Sequence, residues 1–300
     1  MDKVGIPRGL FYYYYGDLWK CFFDKLGVSY IVSPNTNKEI MDRGIKVSND
    51  EMCLSFKVFL GHVDYLKDKC DYILVPRISN FGISNQTCTN FLGAYDIVNN
   101  LFDVNVLNYN IDLDKRETLK KGLFKIGREL GKSFLDIKFA YLYAMDKYKE
   151  KVKKDIEINM ERLNSKNTKI LIVSHPYNTY DNLIGMDIVK YLNSQNVDII
   201  YCDKFDDSIT SKLSKKISHD LYFKYSKNNL GAAIYSLDKI DGILFISSFP
   251  CGPDSLANEL LMRKIKKPYV NLIIDGDMSF TGIETRLESF LDVIRRNACV

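Results

Sequence analysis

The chain has 300 residues, with 42 Lys and Arg against 38 Asp and Glu and a formal net charge of +4. That near balance excludes a nucleic-acid surface, and the short basic stretches at 147–154, 212–216 and 264–267 read as solvated helix faces or ends. Seven cysteines, an odd number spread along the chain, exclude a disulfide framework. No apolar run reaches the ~18 residues of a membrane span. No signal-like hydrophobic region follows Met1. A cytoplasmic location is therefore expected, in which Asn85-Gln-Thr87 stays unglycosylated.

The hydrophobic pattern alternates apolar strand, loop and amphipathic helix. Strands are predicted at 4–7, 28–32, 72–75 and 104–107, and helices at 11–26, 38–47 and 55–67. The Tyr12–Tyr15 run reads as core and helix surface rather than a stacking platform. Residues 113–163 read as helical with a break near Gly131, and end in the polar turn Asn164-Ser-Lys-Asn167. The scheme then restarts. Strands are predicted at 169–173, 197–201, 242–246 and 269–274. Helices are predicted at 181–193, across most of 213–237, and at 255–266 and 284–296. The expectation is an α/β protein of two Rossmann-like lobes, 1–165 and 166–300, with mostly parallel sheets and a cleft between them.

Several familiar site patterns are missing. There is no Gly-x-Gly-x-x-Gly, His-Glu-x-x-His, Cys-x-x-Cys or Gly-x-Ser-x-Gly. Gly127-Arg-Glu-Leu-Gly-Lys-Ser133 is one residue short of a phosphate loop and lies in a helical pattern rather than after a strand.

The cysteines fall into two groups. Cys21, Cys70, Cys202 and Cys299 read as structural or incidental, because a buried thiol behaves as a small hydrophobe. Cys53, Cys88 and Cys251 fall in loops or at helix starts that follow strand–helix units. A helix N-terminus favours a thiolate. In parallel sheets, ligands collect beyond the carboxyl ends of strands. Thiolates suit soft metals and iron–sulfur clusters. Spacing alone leaves both a structural and a ligand role open for these three.

The phrases around these residues add more. They include Gly5-Ile-Pro-Arg8, Ser33-Pro-x-Thr-Asn37, Asp50-Glu-x-Cys53, Gly61-His-Val63, Val75-Pro-Arg77, and Cys88 with Phe91-Leu-Gly93. His175-Pro-Tyr-Asn178, Cys251-Gly-Pro-Asp-Ser255 and Thr285-Arg-Leu-Glu-x-Phe290 continue the series. Taken in order over nearly the whole chain, they resemble the 2-hydroxyacyl-CoA dehydratase superfamily, in its acyl-CoA dehydratase activase-related branch. The resemblance implies a 4Fe-4S cluster held by Cys53, Cys88 and Cys251 in a cleft between α/β lobes, with one iron open to substrate. In dehydratase relatives that iron takes a thioester carbonyl, and one electron makes a ketyl radical from which hydroxyl departs. The electron comes from an ATP-dependent iron–sulfur activase. Here a stand-alone form is expected, served by an activase in trans. One departure is Asp275-Gly-Asp277, where the family usually has an acidic residue next to the aspartate.

His175 reads as a cleft histidine able to donate a proton, or as one that fixes its loop. His62 reads as a packing residue. Arg8 and Arg77, each after a proline, could bind a phosphate or carboxylate of the substrate or form salt bridges across the lobes. Asp254 and Ser255 could touch substrate or cap their helix. The functions in contention are a redox enzyme acting on an acyl-CoA or other small molecule, a non-catalytic cluster-bearing or regulatory subunit, and a cluster-free small-molecule binding protein. A homo- or hetero-dimer is compatible with the sequence.

Overall fold

The computed structural model describes residues 2–276 and 279–298. Asp277 and Cys299, singled out above, lie outside them. The chain divides into two units, Met1–Val152 and Lys153–Val300.

The first unit runs β1 (Lys3–Ile6), α1 (Tyr12–Leu26), β2 (Ser29–Val32), α2 (Lys38–Val47), α3 (Leu54–Leu66), β3 (Tyr72–Leu74) and β4 (Arg77–Asn80). It continues with α4 (Thr89–Leu101), β5 (Val106–Leu107), β6 (Asn110–Asp112), α5 (Leu119–Glu129) and the start of α6 (Phe134–Leu163). One parallel sheet has the order β2-β1-β3-β5, and β4 pairs in parallel with β6 as a separate ribbon. The aromatic helix α1 buries Tyr15, Leu18, Trp19, Phe22 and Phe23, a stripe at helical spacing. The indole Nε1 of Trp19 donates to the Tyr109 hydroxyl at 3.0 Å, which satisfies the one polar atom that this large side chain buries. Tyr12, Tyr13 and Tyr14 are half-buried, so the tyrosine run is core and helix surface.

The second unit runs from the rest of α6 through β7 (Lys169–Val173), α7 (Pro176–Thr179), α8 (Met186–Ser194), β8 (Asp198–Tyr201), α9 (Asp207–Leu213) and α10 (Lys224–Ser236). It closes with β9 (Gly242–Ser248), α11 (Gly252–Met262), β10 (Tyr269–Ile274) and α12 (Phe280–Ala298). Its sheet order is β10-β9-β7-β8, all parallel. Every residue of β9 is buried, as a central parallel strand covered on both faces requires. Both units are thus Rossmann-like α/β layers.

Some expected elements shift. The helix expected at 181–193 begins five residues later, as α8, because Asp181 turns the chain by accepting the backbone N–H groups of Leu183 and Ile184, and the short α7 before it was not expected. The helical stretch expected at 213–237 is interrupted after a short 3-10 turn, Ser214–Lys216, and resumes at α10. The helix expected from Ser255 begins three residues earlier, with Pro253 in its first turn. The β4–β6 ribbon and α4 were not expected as elements. The near-miss phosphate loop is a joint where α5 ends, Gly131 takes φ +69°, and Ser133 opens α6 by accepting from the Asp136 N–H at 3.2 Å.

The tightest joint in the first unit is α2 against α3. A Cβ at Gly61 would collide with the Ile40 carbonyl, and one at Gly44 with the Lys57 carbonyl. Gly61→Ala is therefore expected to force the helices apart and cost about 1–3 kcal/mol in urea denaturation. Gly93→Ala in α4, where a Cβ makes only an ordinary 3.6 Å contact with Ile97, should be neutral or slightly stabilising.

Candidate functional site

In the first unit, Arg8 follows β1 and Ser33 follows β2. The Arg8 backbone N–H donates to Ser33 Oγ at 2.8 Å, and its Nε donates to the Ser33 carbonyl at 3.1 Å. Its guanidinium carbon lies 5.2 Å from the centre of the Tyr12 ring. The side chain is thereby aimed and half-buried at the carboxyl end of the sheet. His62 of α3 is fully buried with Nε2 3.1 Å from Thr36 Oγ1. Burial, with the charge of Arg8 second, lowers its pKa to about 3. A neutral, buried ring fits the packing role expected of it.

Arg77 opens β4. Its Nη2 meets Asp96 Oδ1 of α4 at 2.5 Å, and its guanidinium lies 5.1 Å from the Tyr95 ring centre. Arg77 is thus salt-bridged within its own unit, and its charge is largely committed.

Cys53 and Cys88 occupy the same structural position. Each is the N-cap residue of its helix, α3 and α4, in extended conformation and half-buried, with no side-chain cap hydrogen bond. Phe56 and Phe91 lie three residues beyond them. Phe91 meets Phe11 edge-on at 4.6 Å, Phe11 meets Phe59 at 6.4 Å, and Phe56 packs on Phe59 at 5.7 Å. One aromatic cluster therefore fixes the starts of both helices. Asn90 Nδ2, one position into α4 from Thr89, donates to Cys53 Sγ at 3.4 Å and links the two loops.

In the second unit, His175 follows β7 and Cys251 follows β9. Cys251 is the N-cap residue of α11, again extended, half-buried and without a side-chain cap bond. His175 Nε2 lies 2.8 Å from Asp254 Oδ1, with both side chains only 7% exposed. Asp254 also accepts from the Cys251 thiol and from Ser226 Oγ. Burial pushes its carboxyl up, but the charge of His175 and these hydrogen bonds prevail and hold it below the usual carboxylate range. The imidazole is stacked on Tyr177 at 4.9 Å and met edge-on by Tyr225 at 6.1 Å. Asp254 is thus the buried hydrogen-bond partner of His175 and sits in the first turn of α11, not at its cap. The Ser255 hydroxyl donates back to the Cys251 carbonyl at 2.8 Å, a bond within the helix.

The other cysteines are set apart by their surroundings. Burial pushes the Cys202 thiol far up, and it donates to Ser174 O at 3.0 Å and Asn229 Oδ1 at 3.1 Å. Burial pushes Cys70 up to about 11. Burial, then Asp17 and Asp24, raises Cys21. None of the described cysteines is in a disulfide. Among the described residues, no three or more Cys, His, Asp or Glu side chains are gathered as a ready metal site. The chemistry of the donor set nevertheless fits an iron–sulfur group. Three thiols stand at helix N-termini, where negative charge is stabilised, and one receives an amide N–H.

The sequence profile of the CoA enzyme activase uncharacterised domain (DUF2229) matches residues 3–205. The chain belongs to this family. The match takes in Cys53, Cys88 and His175, while Cys251 and Asp254 lie beyond it. Membership of this activase-related family agrees with the branch read from the sequence. Among curated proteins none matches significantly. Among solved structures, a carbohydrate transporter from Acidothermus cellulolyticus 11B in complex with myo-inositol is 11% identical, covering 90% of this chain and 73% of that one, with a TM-score of 0.21. A sugar transporter from Clostridium phytofermentans is 10% identical, covering 99% and 93%, with a TM-score of 0.22. Likenesses at these TM-scores carry no argument about fold or ligand. Among the described residues no helix is long and apolar enough to cross a membrane.

Sequence reasoning missed Asn90, the Tyr177 stack on His175, and Ser226 and Asn229 of α10. The buried polar residues Ser226, Asn228 and Asn229 inside one helical stretch were the available signal.

Two outcomes follow. Folded His62 stays neutral down to about pH 3, whereas an unfolded histidine protonates near 6.5. The unfolded chain thus takes up an extra proton in that window, so this group's contribution is complete above pH 6.5 and declines below it. The slope is about 1.4 kcal/mol per pH unit. Denaturation curves between pH 6.5 and 5 should fall more steeply for the wild type than for His62→Gln, and equal slopes would contradict the assignment. Secondly, brief alkylation of the metal-free protein at pH 7, read by peptide mass spectrometry, should modify Cys53, Cys88 and Cys251 well before Cys70 and Cys202. Faster labelling of Cys202 would overturn that order.

Proposed function

We propose that this protein is an iron–sulfur subunit related to acyl-CoA dehydratase activation, carrying a 4Fe-4S cluster with Cys53, Cys88 and Cys251 as ligands. The observation that carries this reading is the shared placement of the three thiols. Each is a half-buried N-cap residue of a helix that leads back to a parallel strand, and the other described cysteines are burial-perturbed thiols. The cluster would supply one-electron chemistry to a small substrate, with acyl-CoA the class that family membership favours.

The chain's own residues have distinct tasks in this reading. Cys53, Cys88 and Cys251 give up thiol protons on ligation. The Asn90 amide donates to the Cys53 sulfur, the kind of hydrogen bond that adjusts cluster potential. His175, oriented through Nε2 by Asp254, can hold or pass a proton at its other ring nitrogen. Arg8, anchored on Ser33, offers its guanidinium to an anionic group. Arg77 and Ser255 are the weaker substrate contacts, since Asp96 and the Cys251 carbonyl already engage them. That same engagement favours a second reading, a cluster-bearing regulatory subunit without turnover of its own.

The reductant in this proposal is an ATP-hydrolysing iron–sulfur activase acting in trans. Exposed apolar side chains flank the ligands in each unit, Ile83 and Leu92 near Cys88, and Phe249 and Leu256 near Cys251. Such residues suit a transient electron-transfer encounter of modest area.

The test is anaerobic reconstitution with iron and sulfide, followed by metal analysis and electron paramagnetic resonance. The wild type and Cys70→Ser should bind iron and sulfide equally. Cys53→Ser, Cys88→Ser and Cys251→Ser should lose most of the iron or give an unstable cluster, because a hydroxyl replaces thiolate poorly. Full iron content in Cys251→Ser would sink the ligand assignment. Acceleration of cluster reduction by an activase with ATP separates the enzyme reading from the regulatory one.

A further inference from the structure

The first turns of α6 carry apolar side chains into solvent. Phe134, Leu135, Phe139, Leu142 and Tyr143 are 44 to 64% exposed, while Ile137, Ala140 and Ala144 are buried on the opposite face. Leu135, Phe139 and Leu142 follow the i, i+4, i+7 spacing of a single helical stripe. A contiguous apolar patch of this kind on an otherwise charged surface marks an interaction site.

The charges on this stripe indicate the partner. Lys138 lies four residues before Leu142 and Asp146 four residues after it, and both are exposed. Neither makes an ion pair within the chain among the described residues. A two-fold axis through Leu142 sets each residue against its mirror position on an antiparallel second helix. Lys138 of each copy then meets Asp146 of the other, so two ion pairs flank a central Leu142–Leu142 contact. Phe139 packs toward Met145, and Leu135 lies along the aliphatic stem of Lys149. An arrangement that is positive on one side and negative on the other is complementary to itself under that rotation, as an isologous interface requires. A foreign surface of either sign would satisfy only half of it.

We propose that the exposed stripe of α6 pairs antiparallel with the same stripe of a second copy, making a homodimer centred on Leu142. The helices pack about 8–10 Å apart, with the aromatic side chains Phe134 and Tyr143 at the margins.

Sedimentation equilibrium across a concentration series tests this, with circular dichroism confirming that each variant is folded. The wild type should be dimeric, and Leu142→Glu should be monomeric. Lys138→Glu and Asp146→Lys should each weaken the dimer about tenfold by placing like charges opposite one another. The Lys138→Glu/Asp146→Lys double variant should recover the wild-type dissociation constant, a result no surface without this pairing would give. A short bis-maleimide should join two Leu142→Cys chains through a 142–142 peptide absent from the wild type. A wild type that stays monomeric, a dimer indifferent to Leu142→Glu, or a double variant no better than the single ones would each overturn the proposal.

Discussion

Parallel strand pairing is the constraint on which the rest of this structure depends. Both four-stranded sheets are parallel throughout. A parallel pair cannot be closed by a tight turn, so the chain must return along a helix. A helix that leads back to the start of the next strand begins at the carboxyl edge of the sheet. α3 leads into β3, α11 leads from β9 into β10, and α4 leads toward β5. The N-cap residues of all three therefore stand at carboxyl edges, and all three are cysteines. Topology, rather than any local motif, accounts for this shared placement.

The polar residues around them obey a second rule, that buried charge must be compensated. Asp254 is nearly inaccessible, yet it stays ionised because His175, Cys251 and Ser226 converge on it. Removing any of these would leave a carboxylate with too few partners in a dry site. In the first unit, Arg8 is bound to backbone and hydroxyl oxygens of Ser33, so it keeps capacity for a further anion. Arg77, answered by Asp96, has far less. Two arginines that look equivalent in sequence, each following a proline, thus differ in what they can still do.

Much of the fold was legible from local pattern. The strands at 169–173 and 269–274 and the helix at 38–47 fall where apolar periodicity and caps put them. Gly131 marked the break before α6. The β4–β6 ribbon was not legible, because Arg77–Asn80 and Asn110–Asp112 are short and largely polar, and their pairing depends on the Asn80–Asp112 contact 32 residues apart. Cys53, Cys88 and Cys251 could be picked out because each falls in a loop or at a helix start after a strand–helix unit, although the helix that Cys88 caps was itself not legible. The 79-residue separation of His175 from Asp254 hid their pairing, and only tertiary structure brings them together. Asn90 was hidden differently. Nothing in a helical asparagine announces that its amide will reach a sulfur from another helix.

The three N-cap cysteines also bear on how selection acts on this chain. Serine, threonine, asparagine and aspartate satisfy an open backbone N–H at that position, at a typical gain of about 1 kcal/mol over residues that do not. These cysteines make no such side-chain cap bond. Three helices thus forgo the commonest local stabiliser at the same structural position. Drift toward serine, a single-atom change, would strengthen each helix end in the metal-free protein. Any lineage that retains cysteine at all three places does so against the thermodynamic grain of its own helices.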